Sequence, residues 1–166
     1  MRATSEASPP PIPPRLSTTA DLSHTYQTTF SPLASGGMMP PPKCRLFLWE
    51  THQKKLNTNF CLSLRGADND GLCPFCDAPE DVAHLFLLCP RSQNFWRCIG
   101  VDSVNFQSVE NLWSSLLPGP PMQTQRIRLT ILTALLWNIW KCRNAKTFRE
   151  ETESNATILR RCSDDL

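Results

Sequence analysis

Four residues have the types and spacing for metal chemistry. Cys73 and Cys76 bracket Pro74-Phe75, seven residues separate Cys76 from His84, and four separate His84 from Cys89. Two thiolates two residues apart occupy one tight turn, where both sulfurs can face one ion. That turn also aims backbone N–H groups at the sulfurs. His84 and Cys89 then lie one helical turn plus a helix exit apart, so both can face back to the first pair. Three thiolates and one imidazole fill a tetrahedral Zn²⁺ shell, with Zn–S at ~2.3 Å and Zn–N at ~2.0–2.1 Å. A shell filled by protein leaves no position for water, so one such zinc would be structural rather than hydrolytic. A redox dithiol would call for a βαβ setting, whereas the flanks here read as helical. The plainer alternative is three small core thiols and an interior histidine. His24 and His52 have no cysteine at ligand spacing. Cys44, Cys61, Cys98, Cys142 and Cys162 occur singly and read as packing residues.

The rest of the chain must position this group. Its 166 residues amount to about one domain, and its net charge of +2 gives no global argument for nucleic acid, membrane or an acidic partner. Residues 1–30 offer no secretory signal, and Leu129–Trp140 is too short and too interrupted to span a bilayer. An intracellular location follows, nuclear or cytoplasmic, where eight cysteines are better read as ligands and buried thiols than as disulfides. No Gly-rich phosphate loop, no Ser/His/Asp arrangement and no Cys/His nucleophile stands out, so the chain does not read as an enzyme.

Nine of the 15 prolines fall within residues 1–42. That Pro/Ser/Thr-rich leader reads as disordered. Pro9–Arg15 could form a polyproline II ligand, and a plain linker is the simpler reading. Residues 43–103 form the zinc-binding domain. A first helix is expected from Lys43 to Leu56, with Leu46, Trp49 and Gln53 on one face. A second runs from the N-cap Thr58 to Gly66. A third opens with Pro79 at its first position and ends before Cys89-Pro90, and a fourth covers Ser92–Cys98. Residues 104–125 supply a connecting helix, Ser108–Leu117, and a Pro-rich loop. Residues 126–150 belong to a long helix with the stripe Leu129, Leu132, Leu135, Leu136, Ile139 and Trp140. Residues 151–166 read as a polar tail. No segment alternates as a strand. The expected class is mainly α: a small zinc-stapled helical domain, a long C-terminal helix and a disordered leader.

Several stretches together resemble the zinc-binding domain that lies C-terminal to the reverse transcriptase of plant non-LTR retroelements. They are Lys43–Trp49 (KCRLFLW), Lys55–Gly66 (KLNTNFCLSLRG), Cys73–Cys76 (CPFC), Glu80–Pro90 (EDVAHLFLLCP) and Phe95-Trp96. Trp137–Asn144 (WNIWKCRN) with Phe148 resembles a helix that often follows that domain. The resemblance maps the family's zinc ligands onto Cys73, Cys76, His84 and Cys89. It implies a module isolated from its polymerase: neither the upstream palm with its paired aspartates nor a following ribonuclease H domain is present.

Charge points to where nucleic acid could bind. Residues 43–103 carry seven basic and seven acidic groups, whereas 126–150 carry Arg126, Arg128, Lys141, Arg143, Lys146 and Arg149 against Glu150 alone. This local +5 beside Trp137 and Trp140 could meet phosphates and stack on bases. The competing reading is a core stripe with a solvated face, which is preferred for the two tryptophans. The expected function is a structural zinc module that contributes to RNA or single-stranded DNA binding without catalysis. The alternative is a protein-interaction module or an inert, decayed or domesticated retroelement fragment. No membrane or small-molecule partner is expected.

Overall fold

The computed structural model describes residues 41–116 and 122–165. The expected leader, apart from Pro41 and Pro42, and the Pro-rich loop around 117–121 lie outside the described residues. Among those described there are six α-helices: α1 (Pro42–His52), α2 (Asn59–Leu64), α3 (Pro90–Cys98), α4 (Val109–Leu116), α5 (Met122–Arg149) and α6 (Asn155–Asp164). A π-helical turn, His84–Leu88, precedes α3, and a 3₁₀ turn, Ser103–Asn105, follows it. Extended pairing among the described residues is confined to an isolated bridge between Leu72 and Pro79. The class is mainly α, as the sequence implies.

α1 starts at a proline in its first turn, where the missing N–H costs nothing. It ends at His52, four residues earlier than expected, because Lys54 takes a left-handed conformation (φ +51°) and the chain turns to bury Leu56. Its inner face also differs from the expected one. Cys44, Phe47, Leu48 and Thr51 are buried, while Leu46 is 58% exposed. Both sets have helical spacing. Phe47 decides between them, because its ring meets Phe86 at 6.0 Å and Trp137 at 5.3 Å. Trp137 is thereby engaged in packing, as preferred over base stacking.

α2 forms as expected, with Thr58 Oγ1 accepting the Cys61 N–H at 3.3 Å. α5 buries Leu129, Leu132, Leu136 and Ile139, the spacing of an amphipathic helix. The expected polar tail is instead α6. Ser154 caps it by accepting the Thr157 N–H at 3.1 Å, and Ile158 and Cys162, one turn apart, are buried. Asn138, fully buried in α5, joins the two helices by donating to Asp165 Oδ2 (2.9 Å) and accepting from Arg161 Nε (2.7 Å). Of the cysteines expected to pack, Cys44, Cys142 and Cys162 are buried, Cys61 is half-buried and Cys98 is exposed.

Candidate metal centre

Cys73 and Cys76 lie on a short hairpin. The Glu80 N–H donates to the Gly71 carbonyl at 2.9 Å and the Cys73 N–H to that of Ala78 at 2.8 Å. Asp77 turns the chain with φ +57°, its N–H donating to the Cys73 carbonyl at 3.0 Å. Gly71 opens the hairpin at φ +73°, and a Cβ there would stand 3.0 Å from Ser63 Oγ, so both conformation and space favour glycine. Pro79 belongs to this hairpin, not to the start of the next helix as expected. Asp81 starts that helix instead, its Oδ1 accepting the His84 N–H at 2.6 Å. The hairpin needs Pro79 extended, and its pairing leaves the Asp81 side chain at the capping position.

The helix then widens. The Cys89 N–H donates to the His84 carbonyl at 2.8 Å, a π-type i→i+5 closure. In an α-helix, residues five apart point about 140° away from each other, and only one could face the hairpin. Closure over five residues brings them onto the same side, which is what the His84–Cys89 spacing requires. Widening also leaves carbonyls without their usual α-helical partners, and side chains supply the donors. Ser92 Oγ donates to Leu85 O (2.6 Å), Trp96 Nε1 to Phe86 O (2.6 Å), Ser103 Oγ to Leu87 O (2.8 Å) and Gln93 Nε2 to Leu88 O (3.0 Å).

The four expected ligands converge, their donor atoms all within 4.8 Å of one another. Cys89 Sγ is 3.7 Å from Cys73 Sγ and 3.9 Å from Cys76 Sγ. Two sulfurs ~2.3 Å from one tetrahedral ion stand about 3.8 Å apart, so these spacings fit zinc; they are far too long for a disulfide at about 2.05 Å. His84 presents Nε2, 3.2 Å from Cys76 Sγ. Cys73 and Cys89 are buried and the other two half-buried, so the donor set is soft, enclosed and complete.

The three thiols are unequal. Cys89 is held below the usual thiol range, chiefly by a hydrogen bond from Cys73 and also by the Arg91 and Ser92 N–H groups at the start of α3. Cys73 is pushed up by that same shared proton and by burial, and Cys76 is pushed up by burial. Burial pushes His84 below the usual imidazole range, which keeps it neutral and able to ligate near pH 7. Metal binding must therefore displace thiol protons. Affinity rises with pH and is lost on acidification, by roughly tenfold per pH unit for each proton displaced. Zinc competition against a chromogenic chelator between pH 8 and pH 6 measures this, and a flat profile would contradict thiolate ligation.

The expected nucleic-acid residues have unlike surroundings. Arg143 is the clear correction: its side chain is 1% exposed, so it cannot reach a phosphate. Its Nε donates to Glu80 Oε1 (2.9 Å) and its Nη2 to Glu80 Oε2 (2.5 Å) and Asn59 Oδ1 (2.7 Å). Lys141 Nζ is paired with Asp165 Oδ2 at 2.9 Å, and Arg149 Nε with Glu151 Oε2 at 2.9 Å. Arg128 and Arg149 are exposed and Lys146 is half-buried; the side chain of Arg126 lies outside the described residues. Glu80 and Asn59 were missed as site residues. The available signal was that Leu132, Leu136, Ile139 and Arg143 share a helical face, so a cation on that face needs a buried anion.

No curated protein and no solved structure matches the chain. Residues 36–96 match the family model described as zinc-binding in reverse transcriptase. All four converging ligands fall inside that span, so the segment that resembles the reverse transcriptase zinc-binding family is the one that brings the tetrad together.

Proposed function

We propose that the chain is a structural zinc module that contributes nucleic-acid binding and has no catalytic activity of its own. The closed Cys73–Cys76–His84–Cys89 tetrad carries the first part of this reading. With four protein donors on one ion, no coordination position is left to activate water. Such thiolates call for a reducing compartment, nuclear or cytoplasmic. No helix among the described residues is long and apolar enough to cross a membrane.

The nucleic-acid part rests on cations of α5 that are exposed or only half-buried. With Arg143 committed to Glu80 and Lys141 to a mostly buried pair with Asp165, the candidates for phosphate contact are Arg128, Lys146 and Arg149, whose pair with Glu151 is largely exposed and therefore weak. RNA or single-stranded DNA is expected to bind at ~50 mM salt and to weaken steeply as salt rises. The combined Arg128→Ala, Lys146→Ala and Arg149→Ala variant should lower the slope of log affinity against log salt by about 2, near 0.7 per phosphate contact on a single strand. Fluorescence anisotropy with a labelled oligonucleotide measures it. Binding that is undetectable at low salt, or a slope that the triple variant leaves unchanged, removes the nucleic-acid role and leaves the zinc module alone.

A further inference from the structure

The matched segment ends at residue 96, yet its hairpin is held by a side chain from far outside it. Asn59 Nδ2 donates to the Leu72 carbonyl at 2.7 Å, on the strand that leads into Cys73. Glu80, which closes the opposite strand through its N–H to Gly71, accepts the Asn59 N–H on Oε2 at 2.7 Å. Asn59 and Glu80 thus grip the two strands of the hairpin from one side. What fixes both of them is the Arg143 guanidinium, which donates to Glu80 Oε1 and Oε2 and to Asn59 Oδ1. Its remaining terminal nitrogen, Nη1, donates to Asn144 Oδ1 at 3.0 Å, and its Cζ lies over the Trp140 ring, 5.1 Å from the centroid. Arg143 and Glu80 are almost wholly buried, so water cannot substitute for either partner.

We propose that Arg143 is a positioning residue of the metal centre: through Glu80 and Asn59 it holds both strands of the hairpin that presents Cys73 and Cys76. The inference rests on the zinc reading given above. It makes the functional unit longer than the matched segment, because the long helix supplies the orienting group. The planar fork matters. A guanidinium can meet a carboxylate and a neighbouring amide oxygen together, whereas an ammonium is a point charge. Groups that orient metal ligands from outside the coordination shell typically change metal affinity by about 10–100-fold when removed.

The test uses the full chain, with Zn²⁺ affinity from chelator competition and the absorption spectrum of bound Co²⁺ as a report on ligand geometry. Arg143→Met should weaken zinc by about 10–100-fold and alter the cobalt spectrum, and Arg143→Lys should recover part of both. Leu136→Ala is the control, since it weakens the buried face of the same helix without a bond to the hairpin. It should leave the cobalt spectrum of the folded protein unchanged. The paired Glu80→Met and Arg143→Met change removes the charges together and should still show the altered spectrum. If Arg143→Met proves too unstable to load, Asn59→Ala keeps the ion pair and removes the grip on Leu72, and should weaken zinc by about tenfold. An unchanged cobalt spectrum in these variants, or an equal loss in Leu136→Ala, overturns the proposal. Failure of the wild-type chain to bind zinc or cobalt would instead overturn the zinc reading, and the proposal with it.

Discussion

Stripping the ion with a strong chelator is expected to abolish most of the helical circular dichroism and to shift tryptophan emission to the red. Cys76→Ser should do the same, with no recovery in excess zinc. The size of the effect follows from two magnitudes. Apparent binding free energies of structural zinc sites are about 10–16 kcal/mol near pH 7. The whole net stability of a domain is about 5–15 kcal/mol. Removing the first leaves little or nothing of the second. The emission change has a local origin, because Trp96 is fully buried and donates to Phe86 O inside the π turn that carries His84. If His84 and Cys89 lose their common ion, that turn loses its reason to stay widened, and Trp96 loses its acceptor. Helical content and emission that survive complete metal removal would show that the side-chain clamps alone hold the turn.

Glu80→Ala is expected to destabilise the metal-loaded protein by roughly 3–5 kcal/mol, the usual result of removing one partner of a buried ion pair. The Arg143 guanidinium would remain among buried groups with only amide oxygens as acceptors, and the Asn59 N–H would lose its carboxylate. Replacing both Glu80 and Arg143 by methionine should recover most of that loss, since a well-packed apolar pair of similar volume is often as stable as the ion pair it replaces. Urea unfolding at constant zinc distinguishes the two variants. A loss below ~1 kcal/mol in Glu80→Ala, within the range of exposed pairs, would contradict the burial of this network.

The ligand set was legible because metal coordination imposes short, local spacings: all four donors fall within residues 73–89. The helices were legible for a similar reason, with Thr58 and the glycine after α2 marking ends that depend only on nearby residues. What escaped depended on distant partners. On α1 two helical faces carry large apolar residues, and Phe86 and Trp137, far along the chain, select the one that carries Phe47. Pro79 satisfied the rule for a helix start but was claimed by pairing with Leu72. Arg143 satisfied the rule for a basic surface helix, while its anion lay 63 residues away. α6 was hidden by composition. Arg160, Arg161, Asp164 and Asp165 make the segment look solvated, although Ile158 and Cys162 are spaced to bury one side. Of these, Arg161 and Asp165 bond to Asn138 and Lys141 on α5, while Arg160 and Asp164 stay exposed.

The span between Cys89 and Arg143 also sets an order of events during synthesis. Ribosomes add about 5–20 residues per second, so the four ligands leave the exit tunnel several seconds before the arginine that braces their hairpin. In that interval Glu80 and Asn59 lack the guanidinium that engages both in the folded chain, and the carboxylate stays hydrated. Arrival of α5 then shuts the carboxylate away from water.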